Sequence, residues 1–165
     1  MIDYEDYVYN QTVVHGQVKK PRHYRVGQRR ALDWFFQDIL TGLSVLDIGC
    51  GEGTGLKHLR AKGYKDLMGI DLHPKKVELC KRRGLNVVKG DFLRYDFEKT
   101  FDVVWMSHSM EHMLFPDKVI KKIIEIPILG VWCSSLCHSP TLALFLDIQQ
   151  AIRWERGQRT TERPF

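Results

Sequence analysis

The sequence predicts an α/β fold in which helices cover both faces of an open, mainly parallel sheet. Short apolar segments alternate with helical segments through the middle of the chain, as in strands joined by crossover helices. One of these segments, FDVVWMSH, is apolar on both faces, which is typical of a buried parallel strand. Another, LSVLDIG, runs directly into a glycine-rich turn, at the place where open parallel sheets bind their ligands.

The N-terminal part, residues 1–42, is predicted to form an arm and a covering helix. Residues 1–26 show no clean periodicity, and we expect short helical turns there. From Gly27 apolar residues recur at helical spacing, and Gly42 stops the pattern. We expect Trp34 to Phe36 to lie in the core of the protein. The N-terminal tyrosines fit either a cover over a substrate or the core: Tyr4, Tyr7, Tyr9 and Tyr24.

Residues 43–136 are predicted to form the sheet and its connecting helices. The second of these helices has Pro74 near its first turn and Gly84 just past its end, the usual asymmetry of helix termini. The predicted strands are 43–49, 67–72, 86–91, 101–108 and 128–136, and the predicted helices are 54–63, 73–84 and 116–126.

Length and composition indicate one soluble domain. The chain has 165 residues, of which 44% are hydrophobic and 27% charged. The N-terminus has no basic start with an apolar run, so we expect no signal peptide, and the apolar stretches are shorter than a membrane span. The four cysteines are few and scattered, which favours reduced thiols in a cytoplasmic protein: Cys50, Cys80, Cys133 and Cys137.

The formal net charge of +5 is concentrated between Lys19 and Arg30 and near the C-terminus. Such a balance is compatible with nucleic acid as a partner. A solvated basic face is the favoured interpretation, because charge runs are usually exposed surface.

The glycine turn points to a small ligand. In DIGCGEGTG, glycine lets the backbone turn sharply and approach a ligand without a Cβ in the way. The dinucleotide fingerprint would need a third glycine where Thr54 stands. Asp47 precedes the first glycine by two residues, and an acid there suits a ligand with a positive charge.

Two further carboxylates end neighbouring predicted strands. Asp71 closes the second strand, where a carboxylate can accept hydrogen bonds from both ribose hydroxyls of a nucleoside. Asp91 and Phe92 close the third strand and can offer a carboxylate to an exocyclic amine and an apolar face to a purine.

With these landmarks the sequence resembles the class I S-adenosylmethionine-dependent methyltransferases, in particular the small-molecule methyltransferases of the type 11 group that share VLDIGCGEG. The resemblance runs from Val45 to Ile126 and includes the MEH after the fourth strand. It implies a Rossmann-like sheet with strand order 3-2-1-4-5 and S-adenosylmethionine as the cofactor.

The resemblance also implies roles for single residues. The glycines shape the loop under the methionine moiety, Asp71 binds the ribose, Asp91 binds the adenine amine, and Ser107 lies near the sulfonium. The residues expected to bind the cofactor are Asp47, Gly49, Cys50, Gly51, Gly53, Asp71, Leu72, Asp91, Phe92 and Ser107.

The expected reaction is methyl transfer to an oxygen, nitrogen or carbon nucleophile of a small molecule. The donor is already activated, so the protein mainly aligns the acceptor, and a base is needed only for acceptors that lose a proton. His108 and His112 are weak candidates for that base. The alternatives are a cofactor-binding protein without turnover and a methyltransferase of nucleic acid.

Two patterns could indicate a metal site, and we expect none. Residues 108–112 match H-x-x-E-H, but they follow a buried strand and Pro116 soon interrupts, so a loop brace over the cofactor is favoured over zinc. Cys133, Cys137 and His138 lack a fourth ligand at sensible spacing, and we expect packing residues there.

The C-terminal part departs from the family pattern. Related sheets end with two more strands, whereas residues 137–165 predict one amphipathic helix and a basic tail. We expect those strands to be absent, either in a naturally short form or through truncation or a shifted reading frame after Ile126.

Overall fold

A computed structural model describes residues 3–14, 22–125 and 130–134 of the chain. They form a five-stranded sheet with helices on both faces. The strands are β1 (Val45–Ile48), β2 (Leu67–Asp71), β3 (Val87–Lys89), β4 (Val103–Ser107) and β5 (Gly130–Ser134). The α-helices are α1 (Tyr4–Tyr9), which continues into a π-helical turn (Asn10–Val14), α2 (Arg22–Phe35), α3 (Thr54–Ala61), α4 (Pro74–Arg82) and α5 (Pro116–Glu125), and a 3-10 turn spans Met110–His112.

All strand pairs are parallel, and the order across the sheet is β3-β2-β1-β4-β5. This confirms the predicted fold class and strand order. The order reverses at β1, which pairs with β2 on one side and with β4 on the other. The carboxyl ends of β1 and β4 therefore border the switch point at which such sheets bind ligands.

The core has two layers because successive side chains of a strand point to opposite faces of the sheet. Val45 and Trp105 face the layer that α2, α3 and α4 cover, whereas Leu46 and Met106 face the layer under α5. Trp105 has no solvent exposure and packs against Phe35 and Phe36 of the α2 region.

The predicted covering helix is present, with two corrections. It begins at Arg22, inside the part expected to be irregular, and ends at Phe35. Trp34 is not a core residue, because 51% of it is exposed. The buried stripe runs through Leu32, Phe35 and Phe36, and a residue two positions from Leu32 points to the opposite side of a helix.

The strands are shorter than predicted at their ends. β1 begins at Val45. The backbone N–H of the preceding Ser44 donates to the Asp102 carboxylate at 2.7 Å, and the Ser44 hydroxyl donates to the same carboxylate at 2.6 Å. The predicted C-terminal segment 137–165 and the side chains of Cys133, Cys137 and His138 lie outside the described residues.

Candidate functional site

The glycine loop, residues 49–53, turns the chain from β1 into α3. The backbone N–H groups of Gly49 and Cys50 both donate to the carbonyl oxygen of Ile70, at 2.8 and 3.2 Å, which ties the loop to the end of β2. Gly49, Gly51 and Gly53 have φ angles of 72°, 55° and 72°. Side chains rarely adopt this left-handed region, so the turn depends on glycine.

The three glycines of this loop have different structural roles. A Cβ at Gly49 would lie 2.5 Å from the Cβ of Ser109, and one at Gly53 would lie 2.4 Å from Cδ1 of Leu85. These two glycines allow close packing of the loop. A Cβ at Gly51 would meet nothing within 4 Å, and Gly51 lines a cavity. Gly51 therefore leaves space through which a ligand can approach the backbone.

That cavity, here called the strand-end cavity, has a volume of about 260 Å³. It lies where the carboxyl ends of β1 to β4 meet, the place that the sheet topology favours for a ligand. The residues that these strand ends contribute are Gly49 and Gly51 after β1, Ile70, Asp71 and Leu72 at β2, Gly90, Asp91 and Phe92 after β3, and His108 and Ser109 after β4.

Asp71 is fixed by backbone donors on both sides. Its Oδ2 accepts a hydrogen bond from the Gly51 N–H at 2.7 Å, and its Oδ1 accepts one from the His73 N–H at 2.8 Å. Each carboxylate oxygen can accept more than one hydrogen bond. The carboxylate is therefore held in position and retains capacity for hydroxyl donors from the cavity.

Asp91 lies across the strand-end cavity at the end of β3. Its Oδ1 accepts a hydrogen bond from the Leu93 N–H at 3.0 Å. Burial, followed by the charge of Asp91, raises the pKa of Tyr4. Phe92 beside it is buried and contacts Phe97, with 5.9 Å between ring centroids. The site thus offers a second anchored carboxylate next to an aromatic side chain.

The N-terminal arm forms a roof over the cavity, which was one of the two alternatives that the sequence left open for its tyrosines. Tyr7 and Gln11 line the strand-end cavity from above. The Gln11 side-chain amide donates to the carbonyl oxygen of His112 at 3.2 Å, and the Tyr7 hydroxyl lies 3.8 Å from the sulfur of Met113. Burial, followed by the charge of Asp91, raises the pKa of Tyr7 to about 12, so its hydroxyl stays protonated at neutral pH.

The two candidate bases both line the strand-end cavity. His108 follows β4 and is the one non-glycine residue with positive φ (54°) in the described ranges. Its Nδ1 lies 3.7 Å from Oε1 of Glu111. Burial opposes ionisation of Glu111, but the neighbouring His108 ring and a backbone hydrogen bond prevail and lower the pKa of that carboxyl. Strained backbone of this kind clusters at functional sites.

Four predicted residues lie behind the cavity wall rather than in it: Asp47, Cys50, Gly53 and Ser107. Asp47 is buried because its strand position points it toward α3, where its Oδ2 would lie 2.9 Å from a Cβ at Gly55. The Cys50 sulfur packs against Gly69 of β2, 2.7 Å from where a Cβ would lie, and Gly53 packs against Leu85.

Ser109 is a cavity residue that the sequence did not indicate. Its hydroxyl donates to the carbonyl oxygen of Ile48 at 2.9 Å, which fixes the turn after β4 against the end of β1.

Across the described ranges, no three His, Cys, Asp or Glu side chains are placed to share a metal ion.

The fold and site define a class: a Rossmann-like α/β protein whose glycine loop and strand-end carboxylates suit a nucleoside. A family model described as a methyltransferase domain matches residues 45–126. Over this region the chain belongs to the class I S-adenosylmethionine-dependent methyltransferases, and S-adenosylmethionine is the cofactor of that family.

The curated relatives that the chain matches are also named as methyltransferases. The chain is 30% identical over 119 residues to the ubiquinone biosynthesis O-methyltransferase of Bordetella avium, covering 66% of this chain and 49% of that protein. It is 38% identical over 82 residues to the phthiotriol/phenolphthiotriol dimycocerosates methyltransferase of Mycobacterium leprae, covering 44% of this chain and 30% of that protein. The chain thus spans half or less of the length of these relatives.

Solved structures share the fold. Magnesium protoporphyrin IX methyltransferase (ChlM) from Synechocystis PCC 6803, solved with bound cofactor, aligns with a TM-score of 0.59 at 18% identity, over 76% of this chain and 73% of that one. The [4+2]-cyclase SpnF aligns with a TM-score of 0.57 at 21% identity, over 70% of this chain and 45% of that one.

Proposed function

We propose that the chain binds S-adenosylmethionine in the strand-end cavity and transfers its methyl group to a nucleophile of a small molecule. The observation that carries this proposal is Asp71, anchored by Gly51 and His73 at the end of β2 and lining the cavity. When bound, the cofactor supplies a methyl group already activated by a sulfonium.

The residues at the strand ends would hold the nucleoside. Asp71 would accept hydrogen bonds from the ribose hydroxyls, with Leu72 against the adenine. Asp91 would accept one from the adenine amine, and Phe92 would flank the ring. Open space at Gly51 fits a ligand that approaches the loop backbone, since a side chain there would project into it.

The wall behind these residues would support them. Asp47 lies buried below the glycine loop and would contribute negative charge near a sulfonium. Gly49 and Gly53 would keep the loop close to Ser109 and Leu85. Ser107 would hold the end of β4 in position, and Cys50 would hold the glycine loop in position.

His108 would remove a proton from an acceptor that has one to lose. Glu111 is placed to orient its ring through Nδ1, as carboxylates do for histidine bases. His112 lines the same cavity and is the second candidate. A relative named as an O-methyltransferase supports a hydroxyl as the acceptor.

Methyl transfer can be measured directly. The chain is incubated with cofactor carrying a tritiated methyl group and with separate pools of phenols, amines and thiols, and tritium in the extracted products is counted. We expect transfer in a hydroxyl-bearing pool, with stoichiometric formation of S-adenosylhomocysteine. Binding of the cofactor without transfer in any pool would favour the alternative, a binding protein without turnover.

The nucleic-acid alternative predicts retention on DNA or RNA that weakens steeply with salt.

We propose the cytoplasm as the site of action. Cys50 and Cys80 are free thiols, and thiols stay reduced in the cytoplasm. Among the described helices none is long and apolar enough to cross a membrane.

A further inference from the structure

Two buried thiols meet beside the glycine loop. Cys50 is the second residue of that loop, and Cys80 lies in α4, thirty residues further along the chain. Both are free cysteines, with 6% and 0% of their surfaces exposed. The proposed chemistry of methyl transfer uses neither of them.

The Cys80 thiol is tied to the loop backbone beside Cys50. It donates to the carbonyl oxygen of Gly51, the residue after Cys50, at 3.4 Å. The sulfur of Cys80 would also lie 3.0 Å from a Cβ at Gly53. Cys80 therefore contacts the loop at both Gly51 and Gly53.

The interaction between the two thiols makes them unequal. It lowers the pKa of Cys80, and together with burial it raises the pKa of Cys50 well above its ordinary value. Cys80 is therefore the thiol that ionises first, and a thiolate is the form that reacts with oxidants.

We propose that Cys50 and Cys80 form an oxidisable dithiol that closes to an intramolecular disulfide and thereby weakens cofactor binding. With hydrogen peroxide as oxidant, the Cys80 thiolate attacks one peroxide oxygen and breaks the O–O bond, giving a sulfenic acid and releasing hydroxide. The Cys50 sulfur then displaces the second hydroxide. Overall, two thiols and one peroxide give one disulfide and two waters, and dithiothreitol reverses the oxidation.

Closing the bond must move the loop. A disulfide has an S–S length of about 2.05 Å, much shorter than a contact between two thiols. Cys50 would be drawn toward α4, and the hydrogen bond from Cys80 to the Gly51 carbonyl would be lost. Gly51 is also the residue whose N–H holds Asp71, so the displacement reaches the proposed ribose carboxylate directly.

The cofactor would in turn protect the thiols. Both are buried, so an oxidant reaches them only when the glycine loop opens. A ligand lying against Gly51 would keep the loop closed. This protection rests on the proposed function, whereas formation of the disulfide does not.

The test uses the full chain with Cys133→Ser and Cys137→Ser, so that Cys50 and Cys80 are the remaining cysteines. Hydrogen peroxide should lower the intact mass by about 2 Da, the loss of two hydrogens, and a non-reducing digest should show the peptides of Cys50 and Cys80 joined. Calorimetric titration should then show S-adenosylhomocysteine bound at least about tenfold more weakly, with full recovery after dithiothreitol.

Cys80→Ser and Cys80→Ala in the same background are the controls, each checked by thermal melting. Their affinity for S-adenosylhomocysteine should not respond to peroxide. Oxidation of the two thiols to separate sulfinic acids, or a disulfide that leaves affinity unchanged, would overturn the proposal. If the reduced protein binds no S-adenosylhomocysteine, the proposed function fails. The dithiol is then judged by the linked peptides and by amide exchange of the glycine loop, which must differ between oxidised and reduced protein.

Discussion

The carboxylate of Asp71 accepts a hydrogen bond from the N–H of Gly51, with 2.7 Å between Oδ2 and the nitrogen. The two residues are twenty positions apart and belong to different strand–helix turns. The bond makes the glycine loop and the end of β2 one unit, and both line the strand-end cavity. Changes at either residue should therefore appear first in ligand binding.

Two glycine substitutions should separate binding from stability. Gly53→Ala should lower the free energy of unfolding by about 2–4 kcal/mol, because the new Cβ meets Leu85 in a left-handed backbone. Gly51→Ala should lower it by only about 1–2 kcal/mol. It should weaken S-adenosylhomocysteine binding about tenfold or more, since its Cβ enters open cavity space. Urea unfolding and calorimetry measure the two effects.

Gly27→Ala is the matched control for these variants. Gly27 lies exposed within α2, where a Cβ would meet nothing within 4 Å. The substitution should raise stability by about 0.5–1 kcal/mol and leave binding unchanged. Equal stability losses at Gly51 and Gly53 would contradict the packing described for the loop.

The Ser44–Asp102 contact should matter for stability alone. Asp102→Ala leaves the Ser44 N–H without its acceptor and should cost about 1–3 kcal/mol in the free energy of unfolding. Ser44→Ala removes the two hydrogen bonds that its hydroxyl makes with Asp102, one to Oδ2 and one from the Asp102 N–H, and keeps the one from the Ser44 N–H, so it should cost about 0.5–1.5 kcal/mol. Chemical unfolding tests both. Neither should change ligand affinity, because the contact lies at the opposite end of β1; a tenfold loss of affinity would refute that placement.

His73 should make the protein less stable in mild acid. Its side chain is buried, Nδ1 has no hydrogen-bond partner among the described residues, and burial, followed by the nearby Lys76 charge, lowers its pKa. The unfolded chain therefore binds a proton at higher pH than the folded one. The stability from the neutral ring is present above pH 6.5 and is lost as the pH falls below it.

Unfolding free energies measured from pH 7.5 to pH 5 test this. The slope from this histidine is at most about 1.4 kcal/mol per pH unit. His73→Leu should reduce the fall relative to the parent protein. Identical pH profiles for the two proteins would mean that His73 has the same pKa in the folded and unfolded chain, which would contradict the prediction.

The roof formed by α1 should retain the ligand. Tyr7→Ala should weaken S-adenosylhomocysteine binding about tenfold, mainly through faster dissociation, because Tyr7 lines the strand-end cavity and is buried. Tyr9→Ala on the same helix is the control, since 59% of Tyr9 is exposed. Stopped-flow measurements give both dissociation rates, and equal rates would show that α1 does not close the cavity.

Most of the sheet could be predicted because its signals are local. An apolar run that ends in glycine, repeated along the chain, identifies strands and turns without knowledge of the rest of the fold. Asp71 and Asp91 could be found for the same reason, since each directly follows such a run. The prediction that Trp34 lies in the core is wrong because hydrophobicity alone does not give a residue's angle around the helix. Trp34 points away from the buried stripe of Leu32 and Phe35.

Local patterns left open whether the N-terminal tyrosines form a cover, and they could not predict the contacts of the roof. Gln11 reaches His112 across 101 residues of sequence, and Tyr7 reaches Met113 across 106. The spacing of the residues around Gln11 and Tyr7 in the sequence does not indicate either contact. The contact of Cys80 with Gly51 also depends on how α4 lies against the glycine loop, which only the folded chain determines.

The most direct measurement is calorimetric titration of S-adenosylhomocysteine into the parent chain, Asp71→Asn and Asp66→Asn. Asp66 precedes β2 at its other end and pairs with Lys99, so it changes the same charge away from the strand-end cavity. Binding should be saturable in the parent and in Asp66→Asn, and about tenfold to a hundredfold weaker in Asp71→Asn, as expected for hydrogen bonds to a charged group. No binding to the parent chain, or equal affinity in Asp71→Asn, would contradict a nucleoside held at Asp71.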